Sequence, residues 1–330
     1  QSNSVVWSGS LTGGMSMVTF HMCAGVSVGL GGLAVNGTQA FRLDQSEIDA
    51  MSTTARLVFE TVSGAITVYD LTYTPNEIAL NASVSGTVSI EGSVSVAGLG
   101  AYAGAGMVIA SGVNMTATNS IALEGFYSGV GAGNAIEVGS STRLTAENGS
   151  LALESLGAGP ILCATPAWWW AGDGVAVGGT VEITGADAWV ADADTDVDGT
   201  GSVSFASAAD VTVRDSSVTR LEMVGAGVAL PSSVQANAAE VAFEPSAGVS
   251  DSTLRLGGSE VGFHLSQAEL AAISTNGTVI FGGSLTELIT VEAVDSAPVA
   301  SVVSLLAAES TNSSIDFVAG SAISFVSDVQ

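Results

Sequence analysis

The chain has no lysine and only six arginines in 330 residues. Against them stand 32 Asp and Glu, a formal net charge of −26. That deficit excludes a phosphate loop built on lysine. It also argues against nucleic acid or anionic lipid as a partner, while attracting divalent cations. No stretch approaches about 18 consecutive apolar residues, so neither a membrane span nor membrane insertion is expected. Residues 1–20 lack the basic start of a cleavable signal. The chain opens on Gln1 without an initiator Met and reads as a processed or excised piece of something longer. Cys23 and Cys163 are too few for a disulfide framework and too far apart for a zinc motif. They are left with a bond to each other, a bond between chains, or free thiols. The two histidines, His21 and His264, form no metal-binding pair and are expected as surface or packing residues. A lyase acting on acidic sugars needs basic side chains that are missing here. A glycosidase needs only two carboxylates, which the chain has in excess.

What the chain does have is small and apolar. Hydrophobic residues make up 47%, mostly Ala and Val, beside 41 Gly, while aromatics are 6%. Thin stacked strands suit that composition better than a thick core of large side chains. In "NAIEVGSSTRLTAENGSLALESLG" (134–157), apolar pairs alternate at Ile136/Val138, Leu144/Ala146 and Leu151/Leu153, with Gly, Ser and Asn-Gly turns between them. Three such strands make a coil of about 22 residues. The expectation is an all-β chain, a right-handed parallel β-helix (solenoid) with two short helix-containing repeat modules. Tandem β-sandwiches are the alternative.

The modules are an internal repeat. "FRLDQSEIDAMSTTARLVFETVSGAITV" (41–68) and "FHLSQAELAAISTNGTVIFGGSLTELITV" (263–291) align from Phe41 on Phe263 to Thr53 on Thr275. Asp44 with Glu47, and Ser266 with Glu269, form capping boxes. Short helices are therefore predicted over 45–52 and 267–274, burying Ile48 and Met51 in one copy and Leu270 and Ile273 in the other. This strand, capped helix and strand pattern resembles the repeats of large β-strand-repeat surface proteins, similar to the filamentous-haemagglutinin-type adhesins. The resemblance implies an extracellular right-handed parallel β-helix with structural and adhesive roles and no catalytic residues. The chain divides accordingly: N-terminal strands (1–37), module copy 1 (38–75), solenoid body (76–258), module copy 2 (259–295), and C-terminal strands that resume the solenoid (296–330).

Three features suggest sites. Six of the eleven asparagines, Asn36, Asn81, Asn114, Asn148, Asn276 and Asn312, lie in N-x-[ST] sequons, more than chance gives, and point to a secreted glycoprotein. Asp194, Asp196 and Asp198 before Gly199 match the opening of a calcium loop. Phe205 stands where an EF-hand has its Glu, so a further ligand would come from Asp192 or Asp210. The third feature is the run Trp168, Trp169 and Trp170. Successive strand residues face opposite ways, so if Trp169 points inward its neighbours point outward, or the reverse. Outward rings suggest a contact between chains, a sugar platform or a loop folded over the stack.

Together these readings give an extracellular or cell-surface structural glycoprotein, not an enzyme, that associates head to tail with copies of itself and binds Ca2+. An adhesin or carbohydrate-binding module, partnered by glycans or other surface proteins, is the alternative. A carbohydrate-active enzyme is the second.

Overall fold

A computed structural model describes residues 11–12, 17–32, 40–126, 134–157, 159–237, 239–247, 253–257, 262–292, 294, 298, 300, 302–307 and 314–317. The chain is all-β, with most of its strands in one large parallel sheet. Three ladders run through that sheet. The first joins Val18–His21, Arg56–Thr61, 77–82, 98–103, Ile121–Gly125, Ser150–Ser155, Gly174–Gly178, Ser202–Phe205 and Gly227–Ala229. The second joins 71–73, 94–96, Asn114–Ala117, Thr142–Ala146, 167–171, 187–192, Val218–Gly225, Glu240–Pro245, Thr278–Gly282 and Val302–Leu306. The third runs from Val28–Leu30 through Ala65–Val68, Thr87–Ile90, Met107–Ile109, Ile136–Val138, 161–165, 181–185, Asp210–Val213 and Ser233–Gln235 to Ile273–Ser274. The remaining described pairs are parallel too. Tandem sandwiches built from hairpins would give antiparallel pairs, and among the described residues there are none.

The alternation in the sequence explains the packing. Leu57, Ile78, Leu99, Ile121, Leu151 and Val175 occupy successive positions of the first ladder, and each is at most 2% exposed. Each residue is separated from its ladder neighbour by about 20 to 30 residues of chain, the length of one layer. Such columns need only small and medium side chains, because each layer is one strand spacing thick. Leu71–Ala82, Val94–Ala103, Ile161–Ala171 and Val181–Asp192 are long because each turns a corner and serves two ladders.

The modules hold the only two helices among the described residues: α1 (Gln45–Asp49) and α2 (Gln267–Ala272). Both capping boxes form. The Asp44 and Ser266 side chains accept from the N–H of Glu47 and Glu269, whose carboxylates accept from the Asp44 and Ser266 N–H in return. The helices are shorter than expected. Met51–Ser52 and Ile273–Ser274 are strands, so Met51 and Ile273 are buried by pairing with Leu11 and Val234 rather than on a helix face. Joining a ladder satisfies their backbone groups, which a further helical turn would have left at its end.

In each module one strand doubles back. Phe41–Leu43 pairs with Val28–Leu30, which pairs on its other side with Ala65–Val68. Phe263–Leu265 pairs with Thr253–Gly257, itself paired with Leu288–Glu292. The likeness also extends upstream. Phe20 stacks on Phe59 at 5.2 Å in the first copy, and Phe243 stacks on Phe281 at 5.7 Å in the second. These equivalent strands lie in the first ladder in copy 1 and in the second ladder in copy 2, so the modules are turned by one ladder relative to each other.

Candidate functional site

The tryptophan run ends the strand Ile161–Ala171, in which every second residue is buried. Trp169 points inward and is fully buried; Trp168 and Trp170 point outward and are half-buried. Inside, Trp169 meets Trp189 of the next strand edge to face, 5.0 Å between centroids and 81° between planes. The pair fits because Ala191 stands beside Trp169 in the ladder and Ala167 beside Trp189. Large thus meets small at each level, as dense packing requires. The indole Nε1 of both rings is buried without a hydrogen-bond partner.

Outside, Arg143 lies next to Trp168 in the ladder. Its guanidinium sits 4.4 Å from the Trp170 ring centroid and 5.7 Å from that of Trp168, a cation–π arrangement with both. The next strands of the same outward face are acidic. Asp192 stands beside Trp170, and Glu222 beside Val190. Arg220 bridges Glu222 at 2.9 Å and Glu240 at 2.7 Å. Burial raises the Asp192 carboxyl above the ordinary range, and the charges of Asp194 and Glu222 add to the effect. Glu244 is raised in the same way, first by burial and then by Glu222.

The aspartate loop follows the same strand. Asp194 is 2% exposed. One of its carboxylate oxygens accepts from the Asp198 N–H at 3.1 Å; the other accepts from the Gly199 N–H at 3.2 Å and from the Ser246 hydroxyl. These bonds fold the loop around the carboxylate, with Val197 and Gly199 taking positive φ of 61° and 80°. Asp198 accepts from Thr200 N–H and Oγ1 at 2.8 and 2.6 Å, and the two bonds hold its carboxyl below the usual range. One oxygen from each of Asp194, Asp196 and Asp198 lies within 4.8 Å of the others, so the cluster could hold a metal ion. The donors are hard carboxylate oxygens. Asp192 is not brought into this set. It accepts from the Asp194 N–H at 3.2 Å and fixes the start of the loop. Asp210 lies in the third ladder and accepts from Ser232.

Asn114, Asn148 and Asn276 are exposed, and Asn81 is half-buried, donating to Glu60 at 3.2 Å. Asn36 and Asn312 lie outside the described residues. The cysteines do not pair with each other: both are free, Cys23 exposed and Cys163 fully buried. Cys163 sits in the third ladder between Val138 and Ile183, sealed in the core, and burial pushes its thiol up to about 12. His21 pairs with Glu60 at 3.0 Å, and His264 bonds the Gly257 carbonyl at 2.9 Å. Both contacts are structural. The outward face of the second ladder aligns Thr72, Ser95, Thr116, Thr145 and Trp170, one polar or aromatic residue per strand, and it was missed in the sequence because these residues are unequally spaced along the chain.

No family model, no curated protein and no solved structure matches the chain.

Proposed function

We propose that the three ladders form the faces of a right-handed parallel β-helix, and that this solenoid is an extracellular structural glycoprotein that associates head to tail into a filament or surface layer. The observation that carries the reading is the exposure of apolar side chains at inward positions of Val302–Leu306 and Ser314–Phe317. Val303 and Ile315 are exposed, whereas their ladder partners Val279 and Ile289 are fully buried. A parallel ladder has no built-in stop. Any strand left uncovered at an end offers the backbone groups that the strands within the ladder use to pair, and apolar side chains there gain from being covered by a further layer. A contact of this kind does not close on itself and gives a fibre. The right hand follows from the handedness of parallel crossovers.

Exposed Asn148 and Asn276 support secretion and glycosylation. Calcium in the Asp194 cluster would lower the repulsion between copies of a chain at −26. The resemblance of the modules to filamentous-haemagglutinin-type repeats supports a surface location and a non-catalytic role. Sedimentation across a concentration series, with negative-stain microscopy of the heavy fractions, tests the reading. Growing species and fibres are expected, more of them with calcium. A single monomer boundary at every concentration overturns it. An adhesive module is the second reading, favoured by the outward tryptophans.

A further inference from the structure

We propose that the outward face of the second ladder, from Thr72 to Trp170, binds an extended neutral glycan laid along the stacking direction. Four hydroxyls stand in register on successive strands, Thr72, Ser95, Thr116 and Thr145, and the next residue in the row is Trp170. Beside them runs a second row, Asn114, Arg143 and Trp168. Strands repeat at about 4.8 Å, so the face offers one hydroxyl per strand at a spacing close to one sugar unit of an extended chain.

The shape agrees with the chemistry. An open groove of about 840 Å3 lies over the Thr72, Ser95 and Thr116 end of the row. Helix α1 fixes its far wall. The Gln45 side-chain amide donates to the Thr72 carbonyl at 2.6 Å and accepts from the Thr72 N–H at 2.9 Å. The other end is the Trp168 and Trp170 pair, two residues apart on one strand and therefore about 6.6 Å apart along the face. Hydroxyls both donate and accept, which suits a ligand made of hydroxyls. Half-buried aromatic rings suit the C–H faces of sugar rings. A polyanion fits less well. Asp192 borders Trp170, and Arg143, the cation on this face, is already engaged with the rings. A peptide partner would want a larger apolar centre than two rings beside a hydroxyl row.

This inference does not rest on self-association, and its test separates the two. The protein is made in a host without N-glycosylation, so that Asn114 is bare. Cellohexaose, chitohexaose and mannohexaose are titrated by calorimetry, with hexagalacturonate as the anionic probe, and the same samples are sedimented. At least one neutral hexamer should bind saturably and hexagalacturonate should not. Trp168→Ala and Trp170→Ala should each weaken binding about tenfold. Thr116→Val and Thr145→Val, which keep the branched outward shape and the fold, should each weaken it about threefold. Circular dichroism of every variant should match the parent. The proposal is overturned if no neutral hexamer binds, if hexagalacturonate binds instead, or if the double variant Trp168→Ala with Trp170→Ala binds as the parent does. It is also overturned if that variant loses only self-association, which would make the face a contact between copies of the chain.

Discussion

Replacing Trp169 by Ala tests the packing of the second ladder, because Trp169 and Trp189 are the two largest fully buried side chains among the described residues. The ring is fully buried against Trp189, with Leu144 and Ala191 on the neighbouring strands. An aromatic side chain buries on the order of 150 to 250 Å2. At about 25 cal/mol per Å2 that is roughly 4 to 6 kcal/mol. The indole Nε1 buried without a partner sets about 1 to 3 kcal/mol against it. The edge-to-face contact with Trp189 adds back about 1 kcal/mol. A net loss of about 2 to 6 kcal/mol is expected, centred near about 4, the size seen for aromatic-to-Ala changes in cores. Trp169→Phe keeps one aromatic ring and removes the orphan donor but leaves a smaller cavity, so it should cost less than Trp169→Ala. Trp168→Ala, one residue away on the outward side, should cost about 1 kcal/mol or less. Layered chains need not unfold in one step, so the readout is a urea titration followed by both fluorescence and circular dichroism, with hydrogen exchange of 161–192 as the local measure. If Trp168→Ala destabilises as much as Trp169→Ala, the inward and outward assignment is wrong.

Removing the caps should act locally: Asp44→Ala and Ser266→Ala are each expected to cost about 1 kcal/mol, read as faster exchange in α1 and α2. The Asp44 carboxyl is held below its usual range, first by the Ser46 hydroxyl and then by the Glu47 N–H. Its contribution is therefore present above the ordinary carboxylate pKa and lost as pH falls through the lowered value; Asp44→Asn should flatten that acid limb. Asp192 and Glu244 work in the opposite sense, since their folded values are raised. The folded chain holds those protons longer, so stability falls as pH rises through the ordinary carboxylate range toward the raised values. Asp192→Asn and Glu244→Gln should remove that loss in melts run from acid to neutral pH. Calcium should raise the melting midpoint and a chelator lower it. Asp196→Asn should abolish the shift with little effect on the metal-free protein, whereas Asp194→Ala should destabilise even without metal, by about 1 to 3 kcal/mol, because it strands three donors. An unchanged midpoint with and without chelator means the cluster is only solvated acid.

Much of the fold was legible because the ladders translate the sequence directly. The pairs Ile136/Val138, Leu144/Ala146 and Leu151/Leu153 are all buried, one pair on each ladder. Asp44 and Ser266 were legible as caps because that bond is local to four residues. Helix length was not legible, since what ends each helix is a distant strand, Leu11–Thr12 or Ser233–Gln235, that recruits Met51 or Ile273. The upstream half of the module was missed because Val18-x-Phe20 and Val241-x-Phe243 match at two positions only, and the stacking that makes them equivalent is between layers. The aspartate loop was legible as a cluster. The role of Asp194 as its internal staple depends on Ser246, remote in sequence. The outward row of hydroxyls and Trp170 was hidden for the same reason: its members are one per strand, and nothing in the chain says which strands align.

The doubled-back strands have a mechanical consequence. In the second module Phe263–Leu265 packs against Gly227–Ala229 and pairs with Thr253–Gly257, which comes before it in the chain but lies beyond it in the stack. Pulling from the C-terminal side would lift Ser314–Phe317 and Val302–Leu306 first, then Leu288–Glu292, Thr278–Gly282 and Ile273–Ser274. The next strand to leave, once α2 is released, would be Phe263–Leu265, yet it is pinned beneath Thr253–Gly257 and cannot leave until that strand is torn off as well. Unzipping under tension therefore stalls at the module and releases it as one block. The first module carries the same latch, with Phe41–Leu43 on the side of Val28–Leu30 opposite Ala65–Val68. Under load, a stack interrupted by such latches yields in a few large slips, each at a higher force than the plain layers between them.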